Sequence, residues 1–164
     1  MTTSLLVLAD THVPRRARDV PAQVWDAIDR ADIVAHAGDW VSLELVERIR
    51  TRAQLHGVSG NNDGPEVRAV LPEVARWQAE GIRFAMVHET GAARGREARM
   101  DAAFDDVDVL VFGHSHIPWD SVTPAGMWLL NPGSPTDRRR QPRASYLEIV
   151  VENDRLDDVR FVYL

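Results

Sequence analysis

Ser4–His12, SLLVLADTH, is an apolar run that breaks directly into an acid and an imidazole. A run this short is far below the ~20 residues of a membrane-spanning helix. It reads as a strand buried on both faces. The same event recurs along the chain. Ile33–Ala37 runs into Gly38-Asp39, and Leu55–Ser59 into Gly60-Asn61-Asn62-Asp63. Ile82–Val87 runs into His88, and Val109–Phe112 into Gly113-His114-Ser115-His116. Strands that deliver such residues at their C-terminal ends place them where open α/β sheets form their ligand crevice.

The intervening segments supply helices. Pro21–Arg30 carries Val24, Ala27 and Ile28 at helical spacing, with proline tolerated in the first turn. Ser42 is a plausible N-cap for a helix to about Arg52, with Leu45, Val46 and Ile49 as its stripe. Gln54–Ser59 is the third strand, and the short connections argue for parallel βαβ units. The second half changes rhythm. Val74–Ala79 and Ile82–Val87 flank Glu80-Gly81 as a hairpin, and Gly95–Phe104 reads as a helix. Strand signals alone follow at Trp119–Thr123, Met127–Leu130, Ala144–Val151 and Leu156–Tyr163, with turns at Pro124, Gly126 and Asn153-Asp154. The expected fold is α/β: two packed sheets with helices outside, forming one domain over residues 1–164.

Composition narrows the chemistry. The 164 residues include 45% hydrophobic and 27% charged side chains, as expected for a globular protein. A net charge of -6 disfavours a grip on long nucleic acid, which needs a basic face. No cysteine is present, which excludes disulfides, thiolate metal sites and a cysteine nucleophile. No lysine is present either, so a Walker A loop and Schiff-base chemistry are excluded. Without a basic lead-in or cleavage site at the N-terminus, the expected address is the cytoplasm, away from membranes.

Carboxylate, imidazole and amide oxygen together suit borderline-hard divalent ions. Asp10, His12, Asp39, Asn61, His88, His114 and His116 make seven candidate ligands. If Asp39 is shared, two metals each receive four protein atoms. A metal pair can activate a water and clamp a phosphoryl oxygen. Mn²⁺ is the expected ion, with Fe²⁺, Zn²⁺ and Ni²⁺ as alternatives.

D-x-H, G-D, G-N-x-D, a lone His and G-H-x-H, in this order, resemble the calcineurin-like metallophosphoesterases. His36–Asp39 (H-A-G-D) and Asn131–Ser134 (N-P-G-S), followed by arginines, are similar to the small bacterial and archaeal phosphodiesterase branch. The resemblance implies a two-sheet sandwich flanked by helices in four layers. It also implies Asp10, His12 and His116 at a first metal, Asn61, His88 and His114 at a second, and Asp39 bridging. The implied activity is phosphodiester hydrolysis by a metal-activated water, with Asn61 and His88 spreading the developing charge. Two positions depart from the family. Asn62 stands where the larger family has His and the small branch commonly has Cys, so it is a catalytic candidate that cannot act as an acid. Glu89-Thr90 replaces the usual Gly-His after His88.

Other positions read more plainly. His36 is expected to pack or support, and His56 to point away. Trp40 is a core residue that could edge the cleft. Asn131–Ser134 is a turn, or by resemblance the site floor. Arg138–Arg140 is a solvated loop or an attractor of substrate phosphate. The expected partner is a small phosphoester substrate, and self-association would give a homodimer or homotetramer. The rival reading is a non-catalytic interaction scaffold of the same fold that retains a metal site, as in the eukaryotic retromer scaffold subunit. The complete ligand set favours the enzyme.

Overall fold

The computed structural model describes residues Met1–Leu164. Its first strand, β1 (Thr2–Leu8), alternates between two cores. Leu5, Val7 and Ala9 face one apolar cluster, and Leu6 and Leu8 face another. That two-sided burial is why the sequence runs apolar without a polar interruption.

The chain continues through α1 (Ala22–Arg30), β2 (Ile33–His36), α2 (Leu43–Arg50), β3 (Gln54–Gly57), α3 (Pro65–Val70), β4 (Val74–Ala79) and β5 (Ile82–Val87). It then forms α4 (Arg96–Ala103), β6 (Val109–Val111), β7 (Trp119–Val122), β8 (Trp128–Asn131), β9 (Ser145–Glu152) and β10 (Arg155–Tyr163). Ser42 caps α2, its side chain accepting from the Glu44 N–H at 3.1 Å. The six-residue α3 is absent from the sequence reading. It buries only Val67, which is too little for a helical stripe to register.

Two five-stranded mixed sheets result, in the orders β10-β9-β1-β2-β3 and β4-β5-β6-β8-β7. In the first, β1, β2 and β3 are parallel, and β9 and β10 pair antiparallel. In the second, β5, β6 and β8 are parallel, and β4 and β7 are antiparallel edges. The sheets meet through Leu5, Val7, Ile33 and Ala35 on one side and Phe84, Met86, Val109 and Val111 on the other. Helices α1 and α2 cover the outside of the first sheet through Val24, Ile28, Leu45 and Ile49. Met100 of α4 packs on the outer face of the second, against the cluster containing Leu110 and Leu129. No helix is long and apolar enough to cross a membrane.

Candidate metal centre

The parallel strands of both sheets end at a common edge. There the loops are stitched within each sheet, where Asp10 N–H donates to Gly38 O at 2.9 Å, His12 N–H to Asp39 O at 3.0 Å and Gly113 N–H to His88 O at 3.0 Å, and across the sheets, where His114 N–H donates to Asp10 Oδ2 at 2.9 Å. The backbone curls sharply at this edge. Asp10, His12, Asp39, His114 and His116 all hold φ between 46° and 73°. A left-handed backbone costs roughly 1–2 kcal/mol for a residue with a Cβ, and Asp, Asn and His tolerate it best. Two glycines make the curl physically possible. A Cβ on Gly38 would lie 2.7 Å from His88 Nδ1, and one on Gly60 would lie 2.2 Å from Asp39 Oδ1.

The curl brings the seven predicted side chains together. Asp10, His12 and His116 form one group of mutually close ligand atoms, and Asp10, Asp39 and His88 another. His12 Nε2 lies 3.3 Å from His116 Nε2 and 3.5 Å from Asp39 Oδ2. His88 Nε2 is 3.4 Å from the same Asp39 oxygen. Asn61 Oδ1 stands 2.8 Å from His88 Nε2 and 3.1 Å from His114 Nδ1. Asp39 Oδ2 therefore lies within 3.5 Å of both His12, of the first group, and His88, beside which Asn61 and His114 stand.

Three observations show that these residues fit divalent cations. Asp10 Oδ1 is buried with no hydrogen-bond partner, 3.6 Å from His116 Nε2 and 4.0 Å from His88 Nε2. An orphaned buried carboxylate oxygen is costly and calls for a cation. Ligands at about 2.1 Å from a shared ion lie about 3.0–3.4 Å apart at ordinary coordination angles, close to the separations seen. The imidazoles are also oriented by partners behind them: His88 Nδ1 donates to Ala37 O at 2.7 Å, and His116 Nδ1 to Asp137 O at 2.5 Å. This leaves each Nε2 lone pair facing inward, as metal-ligating histidines require.

Further residues brace the loops. Asp63 accepts from the N–H groups of Gly60 at 2.7 Å and Asp39 at 3.0 Å through Oδ2, and of Val41 at 2.7 Å through Oδ1. Ser134 Oγ donates to Asp10 O at 2.8 Å, and Asn131 Nδ2 to Gly113 O at 3.0 Å, so the N-P-G-S segment lies beneath the site. His36 is buried and stacked on Trp40, with Nε2 3.0 Å from Thr11 Oγ1. It ties the β1 loop to the β2 loop.

Burial and charge divide the titrations. Burial pushes the Asp10 carboxyl up to about 8. Burial pulls His116 down to about 4 and His36 down to about 3, and it lowers His12 as well. Burial also opposes charge on His88 and Asp39, but the contact between them outweighs it, aided by Asp10 at His88 and Asn62 at Asp39. His88 ends raised and Asp39 well below the carboxylate range.

Asn62 makes a contact that the sequence does not reveal. Its backbone N–H donates to Asp39 Oδ1 and its amide to Asp39 Oδ2, both at 2.8 Å, so it clamps the central carboxylate. Trp40 does not edge the cleft. It is fully buried and donates Nε1–H to Val58 O at 2.9 Å, because the positive φ of Asp39 turns the chain back under the sheet. His56 stacks on Trp77, away from the ligands. Sequence reasoning assigned no role to Asp63 or Asp137. Asp63 closes the G-N-x-D motif and could have been found by its spacing. Asp137 acts through its backbone carbonyl, which no residue type signals.

The chain is similar to known proteins over most of its length. Residues 4–154 match the family model of the calcineurin-like phosphoesterase superfamily domain. A protein of Methanothermobacter thermautotrophicus named "Probable metallophosphoesterase" is 34% identical over 154 residues, covering 92% of this chain and 87% of that one. A Thermotoga maritima protein solved by NMR is 29% identical, with TM-score 0.78 and 99% of both chains covered. Vacuolar Protein Sorting 29 from Cryptosporidium parvum shares the fold at TM-score 0.79 and 20% identity, over 99% of this chain and 98% of that one.

Proposed function

The chain belongs to the calcineurin-like phosphoesterase superfamily, and from that premise we propose that it hydrolyses phosphodiesters with two divalent cations, Mn²⁺ first among them. The observation that carries this reading is the orphaned, buried Asp10 Oδ1 among inward-facing imidazole nitrogens. Asp10, His12, Asp39 and His116 would hold one cation, and Asp39, Asn61, His88 and His114 the other. Such ions supply Lewis acidity and lower the pKa of a water toward ~7.

The chain's own residues set the preference for diesters. Asn62 fixes the shared carboxylate through two hydrogen bonds, and an amide does not give up a proton at neutral pH. A poor alkoxide leaving group gains typically ~10²–10⁴-fold from a positioned acid, which Asn62 does not supply. Diesters with good leaving groups need no such acid, and their single charge is readily matched by the site.

The test is to reconstitute the purified protein with Mn²⁺, count metal by elemental analysis, and compare kcat/KM for bis(p-nitrophenyl) phosphate and p-nitrophenyl phosphate. Two ions per chain and faster diester turnover are expected. Saturation at one ion, or a monoester preference, overturns the reading. Tight metal binding without turnover of either ester would favour the scaffold alternative.

A further inference from the structure

Charge around the metal centre is unevenly distributed. On the side of Asn61 and His88 lies a cleft of about 380 Å³ whose wall includes Glu73 and Glu89. Its one arginine, Arg68, is engaged: it donates to Asp63 O at 2.8 Å and Gly60 O at 2.7 Å and stands 3.9 Å from Glu73. Glu89 Oε1 is 3.7 Å from His114 Nε2 at the mouth. This side disfavours an anion.

The side of His12 and His116 is the opposite. Segments 13–18 and 135–140 together hold six arginines and one aspartate, in a chain whose net charge is -6. The two segments are bound together beside the ligands. Thr136 Oγ1 donates to Thr11 O at 2.6 Å, and Asp137 O receives His116 Nδ1. Arg16 reaches Asp137 at 3.8 Å while two-thirds exposed. Arg139 Nη1 is 3.5 Å from His114 O, near enough for its charge to bear on Asp10, His12 and His116. Arg139 also holds φ 48° in the turn closed by Gln141 N–H to Arg138 O. A left-handed non-glycine residue costs roughly 1–2 kcal/mol, and such strain is retained where the side chain it aims has a use. No carboxylate pairs with Arg15, Arg18, Arg138, Arg139 or Arg140.

We propose that this rim, centred on Arg16 and Arg139, binds a second phosphate group of the substrate, so that the preferred diesters carry a phosphate beyond the scissile one, with that arm over His12 and His116 and the uncharged arm toward the Glu73–Glu89 cleft. The inference rests on the phosphodiester reading for its scissile group, but the rim's affinity for phosphate is independent of turnover. Guanidinium forks match phosphate oxygens in pairs, and a hydrogen-bonded charge of this kind changes affinity on the order of ten- to hundred-fold.

Two nitrophenyl esters separate the alternatives: thymidine 5′-(p-nitrophenyl phosphate), and the same ester bearing a 3′-phosphate. The expected result for the Mn²⁺-loaded protein is a KM at least about ten-fold lower for the 3′-phosphorylated ester. Arg139→Gln and Arg16→Gln should bring the KM ratio of the two esters toward one, because only one ester has the second phosphate to lose. Calorimetry with thymidine 3′,5′-bisphosphate and thymidine 5′-monophosphate gives the same comparison without catalysis. The bisphosphate should bind more tightly to the wild type, with the advantage reduced in either variant and by added salt. Equal KM values for the two wild-type esters, or variants that keep the full ratio, overturn the proposal. If neither ester is turned over, the phosphodiester reading fails, and the rim is judged by calorimetry alone: equal affinity for the two nucleotides overturns it.

Discussion

Asp10 carries a proton that a cation would displace. With its carboxyl raised from 3.8 to about 8 by burial, it is protonated at neutral pH in the metal-free protein. A raised folded-state pKa contributes stability that is full below about 4 and lost as pH rises through about 8. In chelator, the melting temperature of the wild type should therefore fall relative to Asp10→Asn between pH 5 and 9. A difference that does not change with pH would refute this assignment. His116 has the opposite sign: its imidazole is lowered to about 4, so its contribution is present above 6.5 and lost as pH falls through about 4. Loading with Mn²⁺ at pH 7 should release protons, detected as a binding enthalpy that varies with buffer ionisation enthalpy. Asn62 makes a separate prediction through its bonds to Asp39. Asn62→Ala should weaken metal affinity by about 10–100-fold, as supporting partners of metal ligands commonly do. Metal titration checks it, and unchanged affinity would show that the clamp is dispensable.

At the scale of elements, the loops after the strands matter more than the strands. Gly60 follows β3 so closely against Asp39 that an added Cβ would lie 2.4 Å from Asp39 N as well as 2.2 Å from Oδ1. Backbone cannot yield as a flexible side chain does. Gly60→Ala should cost about 1–3 kcal/mol of stability and lower metal stoichiometry together. Melting curves and elemental analysis would both register it, and a fully loaded, equally stable variant would contradict the geometry. The loop after β5 is pinned from α4. Arg96 is buried, donates Nε–H to Thr90 Oγ1 at 2.9 Å, and lies 4.6 Å from the Phe112 ring and 4.4 Å from that of Trp119. Arg99 adds a bond to Thr90 O at 3.0 Å. Thr90, out of place by family pattern, is thereby held two residues after His88 by helix α4.

At the scale of the molecule, the metal centre joins the two sheets. Asp10 and Asp39 come from the first sheet and His88 and His114 from the second, so bound cations would link the halves across their common edge. Ligands that bind only the folded state stabilise it by RT ln(1 + [L]/Kd), about 2.7 kcal/mol at a hundredfold excess over Kd. For a chain of this size that corresponds to a rise of about 5–10 °C in Tm. Scanning calorimetry with and without Mn²⁺ should show it, and His88→Ala should lose much of the rise. A metal-independent Tm would mean that the centre does not couple the sheets.

The sequence alone determined the alternation of strands and helices in the first half, the hairpin of β4 and β5, and the seven side chains at strand ends. These are local properties: apolar runs buried on both faces, a serine cap, and polar residues where the runs stop. It did not determine which sheet each late strand joins. The signals at β7, β8, β9 and β10 are alike, yet β9 and β10 return to the first sheet, where β9 pairs with β1, while β7 and β8 complete the second. Pairing partners distant in sequence are chosen by the core that each strand can bury, which no local pattern contains. Tertiary structure likewise decided that Trp40 lies under the sheet, that Asn62 clamps Asp39, and that arginines from segments 13–18 and 135–140 share one rim. Each depends on backbone turning and on contacts between distant loops, whose energies arise only when both partners are in place.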